Sequence, residues 1–329
     1  MPSSPFIRAI DIGYGNTKFI VDDQRHCKIM PSLAPRADAH RDRANLMRAR
    51  RTTRVVVEGK AYEVGEDVGL FLTHVPVLHR DYTETPEYRA LLYGALEAMH
   101  VSRVDLLVTG LPVHLHESRW QRLKSLLVGV HQIRPGVTVE VREAAVVVQP
   151  LGGFVAHSHE RGNWNAHEKE TTLIVDLGYY TVDWMVAQGL KELPGLSDSV
   201  ECGVSEYIQC IGEQLSAKLG DPQSNLMRID EGLRNGNLRV KGREVSLESF
   251  HREAQRVVDR AIGALRNRVG SGQAIDRIVV VGGGAPYFVP GLQAAFPEHP
   301  MHTVADPVFA NVRGFQLIGE YLRAPSSTE

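Results

Sequence analysis

Ile10-Asp11-Ile12-Gly13-Tyr14-Gly15-Asn16-Thr17-Lys18 and Val175-Asp176-Leu177-Gly178-Tyr179-Tyr180-Thr181-Val182-Asp183 are two copies of one short pattern in a chain of 329 residues. Each runs from an apolar strand into an aspartate, then through Gly to Thr and a second apolar run. Self-similarity of this kind bears on the whole architecture, so it is weighed first. The arrangement predicts a hairpin whose turn wraps a phosphate while the aspartate faces a metal ion. Two such turns, opposed, make a clamp on a nucleoside triphosphate.

A carboxylate at a strand end beside Gly can hold Mg²⁺ through its waters. Magnesium keeps several waters and takes one or two carboxylates together with phosphate oxygens. Asp11 and Asp176 both have that position. Asp-x-Gly is also an ordinary turn sequence, and either copy alone reads as a plain β-turn; the recurrence favours the ligand. Gly13 and Gly15 let backbone N–H groups approach phosphate oxygens. Beyond Asn16, Thr17 offers a hydroxyl donor and Lys18 a point charge for a terminal phosphate. Lys18 equally suits a solvent-facing strand position. Gly282-Gly283-Gly284 follows a buried-type strand and allows close approach by a flat or charged ligand, or makes a tight turn. Neither a Walker A loop nor a G-x-G-x-x-G fingerprint fits these stretches.

The composition is that of an ordinary globular chain, with 43% hydrophobic and 23% charged residues, and the length suits about two domains. A net charge of -2 gives no global bias toward nucleic acid or membrane. No apolar run approaches the ~20 residues of a membrane span. Met1-Pro2-Ser3-Ser4-Pro5 lacks the shape of a secretory signal. Cys27, Cys202 and Cys210 have no metal-type spacing and read as free thiols. These features predict a cytoplasmic protein.

Periodicity and punctuation predict hairpins over 6–21, 54–65 (tip at Glu58-Gly59-Lys60), 171–187 and 238–246. Strands are expected over 104–108, 137–148 and 275–281. Thr85-Pro86-Glu87 opens a helix with a Thr N-cap and Pro in the first turn. Further helices are expected over 117–128, 205–219, 247–269 and 309–321. The polar segment 157–170 reads as a surface loop between halves. Mixed strands and helices argue for two α/β domains with a ligand cleft between them.

Together these stretches resemble the actin-like ATPase superfamily, which also holds Hsp70 and the sugar kinases. Within it the chain is most similar to the ParM/StbA plasmid-segregation proteins, and among these to the variant called PRTRC system protein D. The resemblance runs over nearly the whole chain. Asp11 to Lys18 and Asp176 to Asp183 match the two phosphate motifs. Residues 81–92 resemble a helix entry, 108–113 match a strand-end motif, and 148–154 and 306–315 resemble the two interdomain connections. Residues 281–284 match the adenosine motif. The resemblance implies an α/β, ribonuclease H-like two-domain fold with mixed sheets and a nucleotide cleft. Domain I would span 1–155, with a small subdomain at 31–80, completed by the helix 309–323; domain II would span 156–308.

It further implies ATP or ADP with Mg²⁺ between the domains. Asp11 and Asp176 would hold the metal's water shell. Asn16, Thr17 and Lys18 would contact phosphates, with Gly178 and Thr181 on the opposite side. Gly282, Gly283 and Gly284 would lie against the nucleoside, helped by Gly203 and Ser205. Gln149 sits where the superfamily orients the attacking water, and catalysis would rest on Gln149, Asp176 and Asp11; a pre-proline bend is the plainer reading of Gln149. Tyr179 and Tyr180 depart from the ParM pattern, which has Gly and Thr there, a departure that implies slow hydrolysis or an altered nucleotide preference.

The implied function is an ATP hydrolase that assembles into filaments of its own copies for plasmid DNA segregation. An adaptor protein would carry the centromere-like DNA, with no direct DNA or membrane contact. The alternatives are a small-molecule kinase of the same fold, with Asp183 as its base, and a non-polymerising nucleotide sensor. The arginine run between Arg36 and Arg54 reads as a solvated loop or as a contact with a neighbouring subunit. His157, His159 and His167 with Glu160 and Glu168 fit no zinc pattern.

Overall fold

The repeated pattern folds as two equivalent hairpins. The computed structural model describes residues 5–37, 50–71, 81–162, 169–189, 191–220 and 225–324. The first half of the chain contains β1 (Ile7–Ile12), β2 (Asn16–Ile20), β3 (Cys27–Pro31), β4 (Thr52–Val57), β5 (Lys60–Gly65), α1 (Pro86–Ala98), β6 (Arg103–Val104), β7 (Leu106–Leu111), α2 (Val113–Leu127), β8 (Gly129–Arg134), β9 (Val137–Val141), β10 (Ala144–Val148) and α3 (Gln149–Glu160). The second contains β11 (Thr171–Leu177), β12 (Val182–Gln188), β13 (Lys191–Glu192), β14 (Asp198–Val200), α4 (Val204–Leu219), α5 (Leu226–Asn235), β15 (Leu238–Val240), β16 (Arg243–Val245), α6 (His251–Val269), β17 (Arg277–Val281), α7 (Ala285–Ala295), β18 (Met301–Thr303) and α8 (Ala310–Arg323).

One sheet has the order β10-β7-β1-β2-β3, the other β18-β17-β11-β12-β13, with β14 also on β12. In both, the first hairpin strand is central. It pairs antiparallel with its partner on one side and parallel with a crossover strand on the other. Parallel neighbours need helical crossovers, which is why helices separate the later strands. The register places Asp11 opposite Lys18 in one hairpin and Asp176 opposite Asp183 in the other.

The two halves exchange helices. Phe154 and Ala156 of α3 pack with Ile174, Met185, Val279 and Val281 of the second sheet. Val312 and Phe315 of α8 pack with Ile7, Ala9, Leu106 and Val108 of the first. The polypeptide thus crosses twice between sheets, and α3 and α8 touch backbone to backbone at Gly152 and Gly314.

Several expectations need correction. The 104–108 strand breaks after Val104, and β7 continues through Thr109 and Gly110 to Leu111, all buried. α2 starts one turn before Glu117. The expected 137–148 strand is two strands in different sheets, β9 on β8 and β10 on β7. The loop expected from 157 begins as helix: α3 runs to Glu160 with His157 and Ser158 buried. Ser158 donates its hydroxyl to the Phe154 carbonyl, so its polarity is satisfied inside the helix and does not mark a loop. α6 begins at His251 after a single 3₁₀ turn, while α5 and α7 were not foreseen. The other hairpins, α1, α4 and α8 form within a few residues of expectation. Residues Arg41, Arg43, Arg48, Asp38 and Asp42 of the basic run, and His167 and Glu168, lie outside the described residues. All three cysteines are free, and among the described residues no helix is long and apolar enough to cross a membrane.

Candidate functional site

A cavity of about 810 Å³ opens between the two sheets, lined by both hairpin tips. The two turns close identically: the Gly13 N–H donates to the Asn16 carbonyl at 3.1 Å, and the Gly178 N–H to the Thr181 carbonyl at 3.0 Å. These two amides are spent on the hairpins, so any anion must be met by the groups around them. Asp11, Gly13, Gly15, Asn16, Lys18, Gln149, Asp176, Gly178, Thr181, Gly282, Gly283 and Gly284 all line this one cavity.

Asp11 is buried and accepts from Lys18 Nζ at 2.8 Å and from Gln149 Nε2 at 3.1 Å. Lys18 is therefore not a solvent-facing strand residue. Gln149 is no bend either: it is the first residue of α3, followed by Pro150 at a helical position where no N–H is needed. Asp176 is buried and accepts from Asn311 Nδ2 at 2.6 Å. Burial, reinforced by the charges of Asp183 and Asp11, pushes its carboxyl up to about 7, against the pull of Asn311 and Lys18. Gly282 stands at φ +89°, and a Cβ there would fall 2.5 Å from Asp176 Oδ1. Only glycine lets the strand end come this close to the carboxylate.

Asp183 is also buried, and burial raises its pKa despite several donors. It accepts from Thr181 Oγ1 at 2.5 Å, from Ser199 Oγ, and from the Val113 N–H at 3.0 Å. Val113 opens α2 in the first half, so Asp183 caps a helix of the opposite half.

Three expected contact residues lie behind the cavity. Thr17 is fully buried, and its hydroxyl pairs with Ser32 Oγ at 2.9 Å, which in turn donates to the Gly13 carbonyl. Strand alternation turns Thr17 inward between Asn16 and Lys18. Gly203 donates its N–H to the Tyr180 carbonyl and Ser205 its N–H to that of Tyr179. A Cβ on Gly203 would meet three backbone atoms of 178–180 within 2.8 Å. These residues brace the turns and do not line the cavity.

The sequence reading missed Asn311, a wall of Leu33, Glu66 and Gly69, and the α5 face, including Asn225, Arg228, Glu231 and Arg234. A signal for α5 existed: Asn225 accepts from the Arg228 N–H as an N-cap, and Gly236 ends the helix at φ +77°. Tyr179 lies against Gly15, and Tyr180 against Tyr14, so both tyrosines reach the opposite hairpin. Among the described residues no group of three or more His, Cys, Asp or Glu is placed to hold a metal by itself.

Two family models match the chain in order: "Actin like proteins N terminal domain" over residues 9–152 and "Archaeal actin homologue MreB-like, C-terminal" over 174–294. No curated protein sequence matches it. The fold is similar to a pCBH ParM non-polymerisable quadruple mutant, at 17% identity and TM-score 0.78, covering 97% of this chain and 100% of that one. It is also similar to a chain of the 15-stranded ParM filament from Clostridium botulinum, at 19% identity and TM-score 0.78 over 97% and 99%. The archaeal actin homologue Ta0583 in complex with ADP matches at 16% identity and TM-score 0.75 over 96% and 99%.

Proposed function

Since the chain belongs to the actin-like superfamily, we propose that it binds a magnesium-bound adenine nucleotide between its two sheets and hydrolyses the triphosphate. We further propose that the nucleotide state controls assembly of copies into filaments, for segregating plasmid DNA in the cytoplasm through an adaptor. The domains would divide as 1–155 with 309–323, and 156–308, with 31–80 as the small subdomain. The observation that carries the reading is the meeting of Asp11, Asp176 and Gln149 in one cavity built by a duplicated hairpin. ADP on one structural relative and filament formation by another support it. Assignment to the PRTRC system protein D variant rests on the sequence resemblance alone.

The residues present fit a divalent cation. Asp11, Asp176 and Asp183 all line the cavity, and the charges of Asp183 and Asp11 add to burial in raising Asp176 to about 7. Asp11 and Asp176 would hold the ion through its waters, and it would supply charge neutralisation on the phosphates. Lys18 and Asn16 would stand on the first side of the phosphates, Gly178 and Thr181 on the second, and Gly282 to Gly284 at the nucleoside, all of them residues that line this cavity. Gln149 is not a base. Anchored on Asp11 through its amide N–H, it keeps its carbonyl oxygen to align a water for in-line attack, which is most of what phosphoryl transfer asks of a protein.

Asp183 is fully committed to Thr181, Ser199 and Val113, which argues against its serving as a kinase base. The sensor reading draws on Tyr179, whose ring lies against Gly15 in the first phosphate turn. The test is Mg-ATP hydrolysis measured with sedimentation and electron microscopy in ATP, ADP and a slowly hydrolysed analogue. Absence of any sedimenting species at high protein concentration with nucleotide bound would remove the filament reading. Hydrolysis unchanged in Gln149→Ala would favour the sensor.

A further inference from the structure

Four tyrosine rings form a continuous ladder across the cleft. Tyr180, in the second hairpin turn, lies 4.5 Å from Tyr14 in the first, centroid to centroid. Tyr14 stacks on Tyr82 at 4.7 Å and 23°, and Tyr82 meets Tyr88 edge-on at 5.4 Å and 89°. Such separations lie within the favourable range for aromatic pairs. Tyr82 and Tyr88 are buried in the core of the first half. Tyr180 donates its hydroxyl to Glu201 Oε2 at 2.9 Å, within the second half. Each end of the ladder is therefore fixed to its own half, and the Tyr14–Tyr180 step is the one that must separate when the halves move apart. All four rings line the nucleotide cavity.

α5 and Gly282 to Gly284 line the same cavity, and the nucleoside would lie against them. After cleavage the diphosphate would still occupy that side, leaving the hairpin tips, where the two rings meet, as the way out for inorganic phosphate.

We propose that Tyr14 and Tyr180 seal the terminal-phosphate end of the cleft, and that parting of this ring pair sets the rate at which inorganic phosphate leaves after hydrolysis. The inference rests on the nucleotide reading above. Tyr180 is a positioning residue here: it acts through Tyr14 and takes no part in bond cleavage. The pair links phosphate loss to domain opening, because both events break the same contact. It also gives the departure from Gly and Thr at positions 179 and 180 a role in the timing of the cycle.

The experiment compares cleavage with phosphate release in single turnovers of Mg-ATP. Cleavage is read by acid quench, and release by a fluorescent phosphate-binding probe. In the native chain release should lag cleavage. Tyr180→Ala should shorten the lag, taken relative to that variant's own cleavage rate, roughly 2- to 10-fold, the range expected for losing one aromatic pair. Tyr180→Phe keeps the ring and should keep most of the lag. Tyr180→Leu, which retains apolar bulk, is the second variant should the alanine chain fail to fold, and should also shorten it. Release simultaneous with cleavage in the native chain, or the same lag in Tyr180→Ala or Tyr180→Leu, overturns the seal while leaving the nucleotide reading intact. A native chain that neither binds nor cleaves ATP removes the nucleotide reading and the seal with it.

Discussion

Replacing Gly314 by alanine should separate the two helices that join the halves. α3 and α8 cross with their backbones in contact. A Cβ on Gly314 would fall inside the Gly152 carbonyl group, 2.5 Å from its carbon and 2.7 Å from the Gly152 Cα. The obstruction is backbone on the facing helix, so no rotamer change relieves it. Gly152 is confined too: a Cβ there would stand 2.6 Å from the Asn311 carbonyl oxygen and 2.6 Å from the Phe315 ring. Overpacking costs about 1–3 kcal/mol where side chains can shift; here the helices themselves must move, and about 3 kcal/mol or more is expected. Alanine's better helix propensity returns only about 1 kcal/mol. Gly263 supplies the control. It lies within α6, and a Cβ there meets nothing within 4 Å, so Gly263→Ala should stabilise by about 0.5–1 kcal/mol. Urea unfolding followed by far-ultraviolet circular dichroism measures both. Because Gln149 sits on α3 and Asn311 on α8, Gly314→Ala should also weaken nucleotide binding. Stability of Gly314→Ala within about 0.5 kcal/mol of the native chain would refute the crossing argument.

Gln149→Ala should slow hydrolysis on the order of 100-fold while leaving nucleotide affinity largely intact, as equilibrium binding beside steady-state turnover would reveal. Asp176 has a folded-state pKa raised to about 7 from 3.8, so the folded chain holds that proton longer than the unfolded one. Its contribution is most favourable below about pH 4, is lost as pH rises to about 7, and is flat above. Asp176→Asn, which does not titrate, should therefore gain stability relative to the native nucleotide-free chain across that window, by up to about 4 kcal/mol; a pH-independent difference in urea midpoints counts against it. Thr85 accepts from the Tyr88 N–H at 3.2 Å as the N-cap of α1, so Thr85→Ala should cost about 1 kcal/mol in the same unfolding assay.

The hairpins and caps were legible because their signals are local. Asp-x-Gly between apolar runs, Glu58-Gly59 at a tip and Thr85-Pro86 at a helix start each act within four residues. Residues 137–148 misled because the β-branched stretches on either side of Arg142-Glu143 read as one strand, whereas these two residues carry the chain from one sheet to another. His157 and Ser158 misled because a polar residue inside a helix can be accommodated there: Ser158 bonds its own turn at the Phe154 carbonyl, and the His157 ring packs 4.9 Å from that of His302. Asn311 was invisible as a site residue because its partner, Asp176, is far off in sequence, and only the exchange of α3 and α8 between sheets brings them together. Thr17 failed for a different reason. Its residue type suited a phosphate, but period-two alternation sends it to the buried side, where Ser32 uses its hydroxyl.

The duplication is exact in topology and opposite in charge, and that contrast orders the site. Lys18 and Asp183 occupy the same register, each across the hairpin from its aspartate. In the first hairpin the pair is Asp11 with Lys18, and the two charges satisfy each other at 2.8 Å. In the second, Asp176 faces a like charge, and Asp183 is quieted by hydrogen bonds from Thr181, Ser199 and the start of α2. Asp176 accepts from Asn311, and burial, together with the charges of Asp183 and Asp11, raises its carboxyl to about 7. Ionising it in the closed cleft is therefore unfavourable until a cation arrives, whereas Asp11 already has one. On this reasoning, metal-bound nucleotide is drawn chiefly toward the second hairpin, and Asp183 serves two ends at once: it withholds compensation from Asp176 and ties α2 of the opposite half to the same turn.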